Sequence, residues 1–215
     1  MNTKNLGRPR SNPARDLRRD LLVTSRALLD EGGPGALSLR EVARRAGCTH
    51  QAPYHYFEDR ESILAALVAE GFDDLAQRLR AANELAGAEG VRAALEASGA
   101  AYVDFALSRA GVFRIMFRPD VCNPARFPDV QQAGARSRAE LTRLADIVHG
   151  EKATPALATL LWAHVHGLAC LLVDGPLAHQ FPSEALRSEH LREVGRQFAD
   201  LLSAPAPADA GARAR

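Results

Sequence analysis

Ser38-Leu-Arg-Glu41 at one end and Gly47 at the other confine a helix of this chain to about two turns. The Ser38 hydroxyl can accept from the Glu41 N–H while the Glu41 side chain reaches back, the reciprocal pattern of a capping box. Leu37 before the cap and Val42 at the fourth helical position can close a hydrophobic staple. Gly47 stands where a helix ends in a left-handed residue. Thr49 can cap again, which predicts a second short helix from about His50 to Tyr56, with Pro53 near the end of its first turn. Two short helices joined by a glycine-containing turn of about three residues make a helix-turn-helix.

The second of these helices is unusual in composition. Thr49, His50, Gln51, Tyr54 and His55 are small polar or aromatic, with almost no charge among them. A helix that reads the major groove needs hydrogen-bonding side chains near its N-terminus, aimed at base edges. Gln can pair bidentately with adenine, and Tyr and Thr hydroxyls commonly donate to phosphates. Ser38 and Arg40 lie at the start of the preceding helix, where backbone N–H groups also favour an anion. Tyr56 and Phe57 are expected to anchor the pair on its neighbours, and Cys48 to fill a small core space between the two helices. Charge agrees with an anionic partner for this part of the chain. Residues 1–60 carry 11 Lys/Arg against 7 Asp/Glu, and the remainder 16 against 19, although a difference this small also arises by chance.

The rest of the 215 residues reads as helix almost throughout, with no alternating strand pattern and no internal repeat, so the fold class is all-α. Asn12–Pro13 is a helix start and Gly32–Gly33 its end. Asp59 can cap a helix striped with Ile63, Leu64, Leu67, Val68, Phe72 and Leu75. Further helices are expected over about 88–109, 111–117 and 128–148, from Thr154-Pro155 to Asp174-Gly175-Pro176, and from Ser183 onward. Residues 156–173 are nearly all apolar and long enough to span a bilayer. They contain Thr159, His164, His166 and Gly167 and have no second such segment beside them, so they read as a helix buried on all sides in a soluble protein. A domain plan follows: an arm at 1–12 and a tail at 204–215 without periodic apolar residues, a helix-turn-helix domain at 13–60, and a helical body at 61–203.

The residues from Leu21 to Leu67 resemble the DNA-binding domain of the TetR family of transcriptional regulators. The resemblance rests on Gly32, Leu37-Ser-Leu-Arg-Glu-Val-Ala-Arg-Arg-Ala-Gly47, Thr49, Tyr54-His-Tyr-Phe57 and Arg60-Glu-Ser-Ile-Leu64. Gln51 stands where the family often has Gly and Pro53 where it often has Leu, which leaves the start of the reading helix open. The resemblance implies that Arg60 and Tyr54 hold phosphates. Trp162-Ala-His-Val-His166-Gly167, with Phe113-Arg-Ile-Met-Phe117, looks like the Trp-His-Gly signature of one TetR C-terminal subgroup. It implies an all-helical domain for ligand binding and dimerisation, with double-stranded operator DNA, a small-molecule effector and a second copy of the chain as partners.

For the body, Phe105, Phe113, Met116, Phe117, Trp162 and His166 are the residues expected to line a ligand pocket, with plain core packing the equal alternative. No metal is expected: His166 and Cys170 share a face four residues apart, His164 does not, and two ligands are too few. Three cysteines, an odd number without metal-like spacing, argue against a disulfide framework and fit a reducing cytosol. No secretory signal opens the chain. No cofactor is expected, since neither a P-loop, a dinucleotide fingerprint nor a nucleophile elbow is present; Gly32-Gly33-Pro34-Gly35 is a turn between helices. The function expected is a ligand-responsive repressor that binds a palindromic operator as a homodimer. An activator or ligand-independent regulator of the same fold, a small enzyme and a helical interaction module are the alternatives.

Overall fold

The computed structural model describes residues 16–203, and among them every regular element is helical. Helix α1 (Leu17–Ala36) starts where the Asp16 carboxylate accepts from the Arg19 N–H at 3.1 Å. The start expected at Asn12–Pro13 lies outside the described residues, as do the arm and the tail from 204. The break at Gly33 is as the sequence implies: its φ of 66° and ψ of −170° interrupt the helix, and Pro34 opens one last turn. Helix α2 (Leu39–Ala46) is bounded by Ser38, whose hydroxyl accepts from the Glu41 N–H at 3.2 Å, and by Gly47 in the left-handed region. Leu37 and Val42 are both buried, as the staple requires.

Only half of the capping box forms. The Glu41 carboxylate does not reach back to Ser38; Arg44 holds it at 2.8 and 2.6 Å and Arg45 at 2.9 Å. The bidentate guanidinium contact outcompetes a single backbone N–H. With the Arg44 hydrogen bond leading and Arg45 second, the Glu41 carboxyl is held down at about 2.

The second helix of the pair departs further from expectation. It is a four-residue 3₁₀ helix, Ala52–His55, with Gln51 before it and no side-chain cap. Thr49 contributes its carbonyl, accepting from the Ala52 N–H at 3.0 Å, and not its hydroxyl. The reason is Pro53, which has no N–H to bond back to Thr49 and so breaks the α-helical ladder at its first rung. Tyr54 and Tyr56 then bond back three residues, to Gln51 and Pro53, and only Phe57 makes a bond of α-helical length.

Helix α3 (Arg60–Gly87) is capped by an Asp59–Ser62 exchange: Asp59 Oδ1 accepts from the Ser62 N–H at 2.7 Å, and Ser62 Oγ from the Asp59 N–H at 3.1 Å. Its first turns pack Ile63, Leu64 and Leu67 against α1 and α2, and its later turns carry Leu75 and Leu79 into the body. The body consists of α4 (Val91–Ser108), α5 (Ala110–Met116), α6 (Pro128–His149), α7 (Pro155–Val173) and α8 (Glu184–Ser203). Thr154 caps α7 by accepting from the Leu157 N–H at 3.2 Å, and Ser183 caps α8 through the Leu186 N–H at 3.3 Å. One apolar cluster runs from α1 through α3, α4 and α5 to α7, and a smaller one joins α4, α6, α7 and α8.

Helix α7 is not buried on all sides within one chain. Leu157, Leu161, Val165, Ala169 and Leu172 face inward at helical spacing, but Leu160 is 63% exposed and Leu171 is also in solvent. The described residues cover the Leu157–Leu161–Val165–Ala169–Leu172 side of this helix and leave Leu160 and Leu171 open. Among the described residues it is the single helix long and apolar enough to cross a bilayer by length and composition.

Candidate nucleic-acid interface and effector cavities

Pro53 and Phe57 are both buried, and between them they fix the 3₁₀ helix on the helical pair. Tyr54 and His55 on that element point outward, and Ala52 is half-buried. Thr49, His50, Gln51, Tyr54 and His55 are exposed together, as are Ser38 and Arg40. Tyr56 is exposed too, so the expected Tyr56–Phe57 anchor reduces to Phe57, with the Arg18 guanidinium 5.7 Å from its ring centroid. A 3₁₀ element of three residues per turn cannot keep both neighbours on its inner side. Cys48 is half-buried against the core, its thiol directed at the Ala43 carbonyl at 3.6 Å.

The cations around this surface fall into two kinds. Arg44 and Arg45 are committed to Glu41, and Arg45 also to Glu31. Arg60 donates to two backbone carbonyls, Leu37 at 2.9 Å and Pro34 at 2.5 Å, tying the start of α3 to the α1–α2 connection. The structure thus gives Arg60 a bracing contact beside the phosphate role that the resemblance implies. Arg40 has no carboxylate partner among the described residues, and it lies on the first turn of α2 beside Ser38. It is the guanidinium here that an approaching phosphate would meet unneutralised.

Among the described residues, a pair of cavities in the body bears on the expected pocket. One, of about 360 Å³, lies among α4, α6, α7 and α8 and includes Glu96, Asp104, His164 and Arg192 in its wall. The other, of about 670 Å³, is bounded by α3, α5, α6 and α7 and includes Phe72, Met116, Phe117, Arg138 and Trp162. Of the six residues expected at a pocket, Met116, Phe117 and Trp162 line the larger cavity. Phe105, Phe113 and His166 line neither. Phe105 is fully buried with the Arg78 guanidinium over it, and Phe113 is core. His166 sits in an aromatic nest, 4.6 Å from the Phe117 ring and 5.4 Å from that of Phe113. Its Nδ1 is 2.9 Å from the Tyr102 hydroxyl, which also accepts from the Trp162 Nε1–H at 3.3 Å. Sequence reasoning missed Tyr102 and Arg138. Nothing in its own stretch, Ala100-Ala-Tyr-Val-Asp-Phe105, marks Tyr102 as more than a core aromatic, but Arg138 carries a signal: Gly134, Ala135, Leu141 and Thr142, its helical neighbours, are all neutral.

The body is joined to the helix-turn-helix by α5 and the loop after it. The Gly111 N–H at the start of α5 donates to Asp30 Oδ1 of α1 at 2.9 Å. The contact is so close that a Cβ at 111 would lie 2.8 Å from the Leu29 carbonyl carbon. Beyond α5, the Asn123 N–H donates to Glu61 of α3 at 3.3 Å, and the Arg126 guanidinium pairs with the same carboxylate. Met116 and Phe117, at the other end of α5, are cavity wall.

A helix-turn-helix with an exposed polar face, carried on a larger helical body, is the architecture of a DNA-binding regulator. Comparison with known proteins agrees. Residues 21–67 match the family of bacterial regulatory proteins called the tetR family, and residues 95–206 match the tetracyclin repressor-like C-terminal domain. The chain therefore belongs to the TetR family of transcriptional regulators. A solved structure of a protein of unknown function from Rhodococcus sp. RHA1 is 30% identical, with a TM-score of 0.73 over 91% of this chain and 97% of that one. A TetR-family regulatory protein from Rhodococcus RHA1 shares the fold at 16% identity, with a TM-score of 0.65 over 87% of this chain and 95% of its own. An HTH-type transcriptional regulator of Mycobacterium tuberculosis is 39% identical over 59 residues, 27% of this chain and 25% of that protein. The match thus spans a quarter of the length of that curated relative.

Proposed function

We propose that the protein is a ligand-responsive repressor, acting in the cytoplasm, that binds a palindromic operator as a homodimer and leaves it when a small molecule occupies the body. The observation that carries this reading is the joint exposure of Thr49, His50, Gln51, Tyr54 and His55 beside the unpaired Arg40, on an element anchored by buried Pro53 and Phe57. Such a face offers base-reading amide and imidazole groups with a phosphate cation at its edge. The open apolar side of α7 supports the dimer, because a two-fold partner would cover it with the same helix. The cavity wall shared with α5 supports the ligand response, since α5 also holds α1 through Gly111 and Asp30. An occupant that favours one arrangement of the two reading elements must weaken DNA, and DNA must weaken it, by the same factor. Trp162, His166 and Gly167 further support placing the body in the Trp-His-Gly subgroup.

The test is fluorescence anisotropy of inverted-repeat duplexes drawn from the DNA flanking the gene. A salt-dependent preference for one repeat is expected, and a bound ligand is expected to weaken it. Absence of any sequence preference would remove the operator reading. Unchanged DNA affinity with every bound ligand would remove the ligand response.

A further inference from the structure

The larger cavity has a chemistry that selects among ligands. Its wall is aromatic and aliphatic, with Phe72, Phe117 and Trp162 prominent, and no carboxylate lines it. The smaller cavity differs in having both Glu96 and Asp104 in its wall. The one formal charge lining the larger cavity is the guanidinium of Arg138. Elsewhere on α6 arginines are neutralised: Arg136 meets Asp73 at 2.8 Å and Arg143 meets Glu84 at 3.3 Å. Arg138 has no such partner among the described residues, and no acid lies three or four positions away on its own helix. Its side chain lies over Gly134, where a Cβ would come within 3.4 Å of Nη1 and 3.9 Å of the Phe72 ring. The absent side chain at 134 leaves cation and aromatic floor side by side. Gln132 adds a free amide at the same wall, while Gln131 is held by the Pro124 carbonyl at 3.1 Å.

We propose, building on the ligand-responsive reading, that this cavity binds an amphipathic organic anion: an aliphatic or aromatic body against Phe72, Phe117 and Trp162, and a carboxylate or phosphate head on Arg138. A guanidinium presents a planar fork that such heads fill bidentately, and an anion there meets no opposing carboxylate. A cationic ligand of equal shape would face Arg138 with nothing to neutralise it. The site is also placed to act: Met116 and Phe117 line it from α5, and Pro124 lines it from the loop whose Arg126 holds Glu61 of α3.

Trp162 is the only tryptophan of the chain, so its emission reports on this cavity directly. The full-length protein is titrated with decanoate, 4-phenylbutyrate and decyl phosphate, and with decanol, 4-phenylbutyramide and decylammonium as uncharged and cationic counterparts. At least one anion is expected to shift the emission saturably, with its counterparts about tenfold or more weaker. Arg138→Gln is expected to remove that difference, and Arg138→Lys to restore part of it. Melting of the unliganded variants should match the parent, since Arg138 is exposed and unpaired. Failure of all three anions to bind, equal binding of the counterparts, or an unaltered affinity in Arg138→Gln each overturns the inference. DNA anisotropy separates this outcome from the reading beneath it. Anion binding that depends on Arg138 but leaves DNA affinity unchanged keeps the site and removes the ligand-responsive repressor. A ligand that alters DNA affinity without Arg138 does the opposite.

Discussion

Tyr102 shows how one buried polar atom orders its surroundings. The residue is 1% exposed, and burial pushes its phenol well above the usual range, so it stays protonated. Its hydroxyl accepts from Trp162 and lies 2.9 Å from His166 Nδ1, to which it donates when that nitrogen carries no proton. That arrangement needs a neutral imidazole with its proton on Nε2, the atom 3.6 Å from the Cys170 thiol. Burial acts in the same sense, lowering the His166 pKa below its ordinary 6.5. A histidine depressed in the folded state contributes stability that is complete above 6.5 and is lost as the pH falls through its folded value, because the unfolded chain takes up the proton first. The melting temperature should therefore fall on acidification from about pH 7.5 to about pH 5. His166→Gln should flatten the slope in part, since His164, stacked 3.6 Å from Phe198, is lowered by burial as well. Thermal melts of both proteins across that range check this; equal slopes would show that His166 titrates as freely folded as unfolded.

At the scale of elements, what the sequence could show was whatever depends on neighbours a few residues away. Ser38, Gly47, Asp59, Thr154 and Ser183 terminate helices where local hydrogen bonding alone says they should. The element at 52–55 was legible in its composition and exposure but not in its form, because Pro53 acts through a bond that is missing, and Tyr56 faces solvent only once that form is known. Which aromatics line a cavity was half legible for a different reason: Phe105 and Trp162 have the same apolar character in sequence, and only packing separates core from cavity wall. The exposed reading face yields a prediction with two distinguishable arms. Gln51→Ala should cost about 1–3 kcal/mol on the preferred duplex and relax the preference at one base pair. Arg40→Ala should weaken all duplexes alike and lower the slope of log affinity against log salt by about one. Circular dichroism should be unchanged in both, as neither side chain is buried. An equal loss of specificity from the two variants would mean that they do not divide the work of base and phosphate contact.

At the scale of the molecule, α7 is the element whose chemistry is least satisfied by one chain. Its inner stripe is filled by α4 and α6, yet Leu160 and Leu171 stand in water on the outer side, and α8 adds Leu186 and Leu201. Apolar groups of this kind lose solvent-exposed area when a second copy packs against them, a gain of about 25 cal/mol per Å². A two-fold interface uses the same patch from both chains, so a single substitution enters it twice. Leu160→Arg would then bring two guanidinium groups into an apolar seam, and Pro155–Val173 holds no Asp or Glu to meet them. The expected cost is several kcal/mol, enough to turn a dimer into a monomer at micromolar concentration. Sedimentation should give the monomer mass for this variant, with the helical spectrum intact because Leu160 is largely exposed and belongs to neither apolar cluster of the described residues. Operator affinity should collapse toward that of a single half-site, since the two reading elements would no longer be linked. A variant that sediments as a dimer would move the interface off α7 and leave its outer face to another partner.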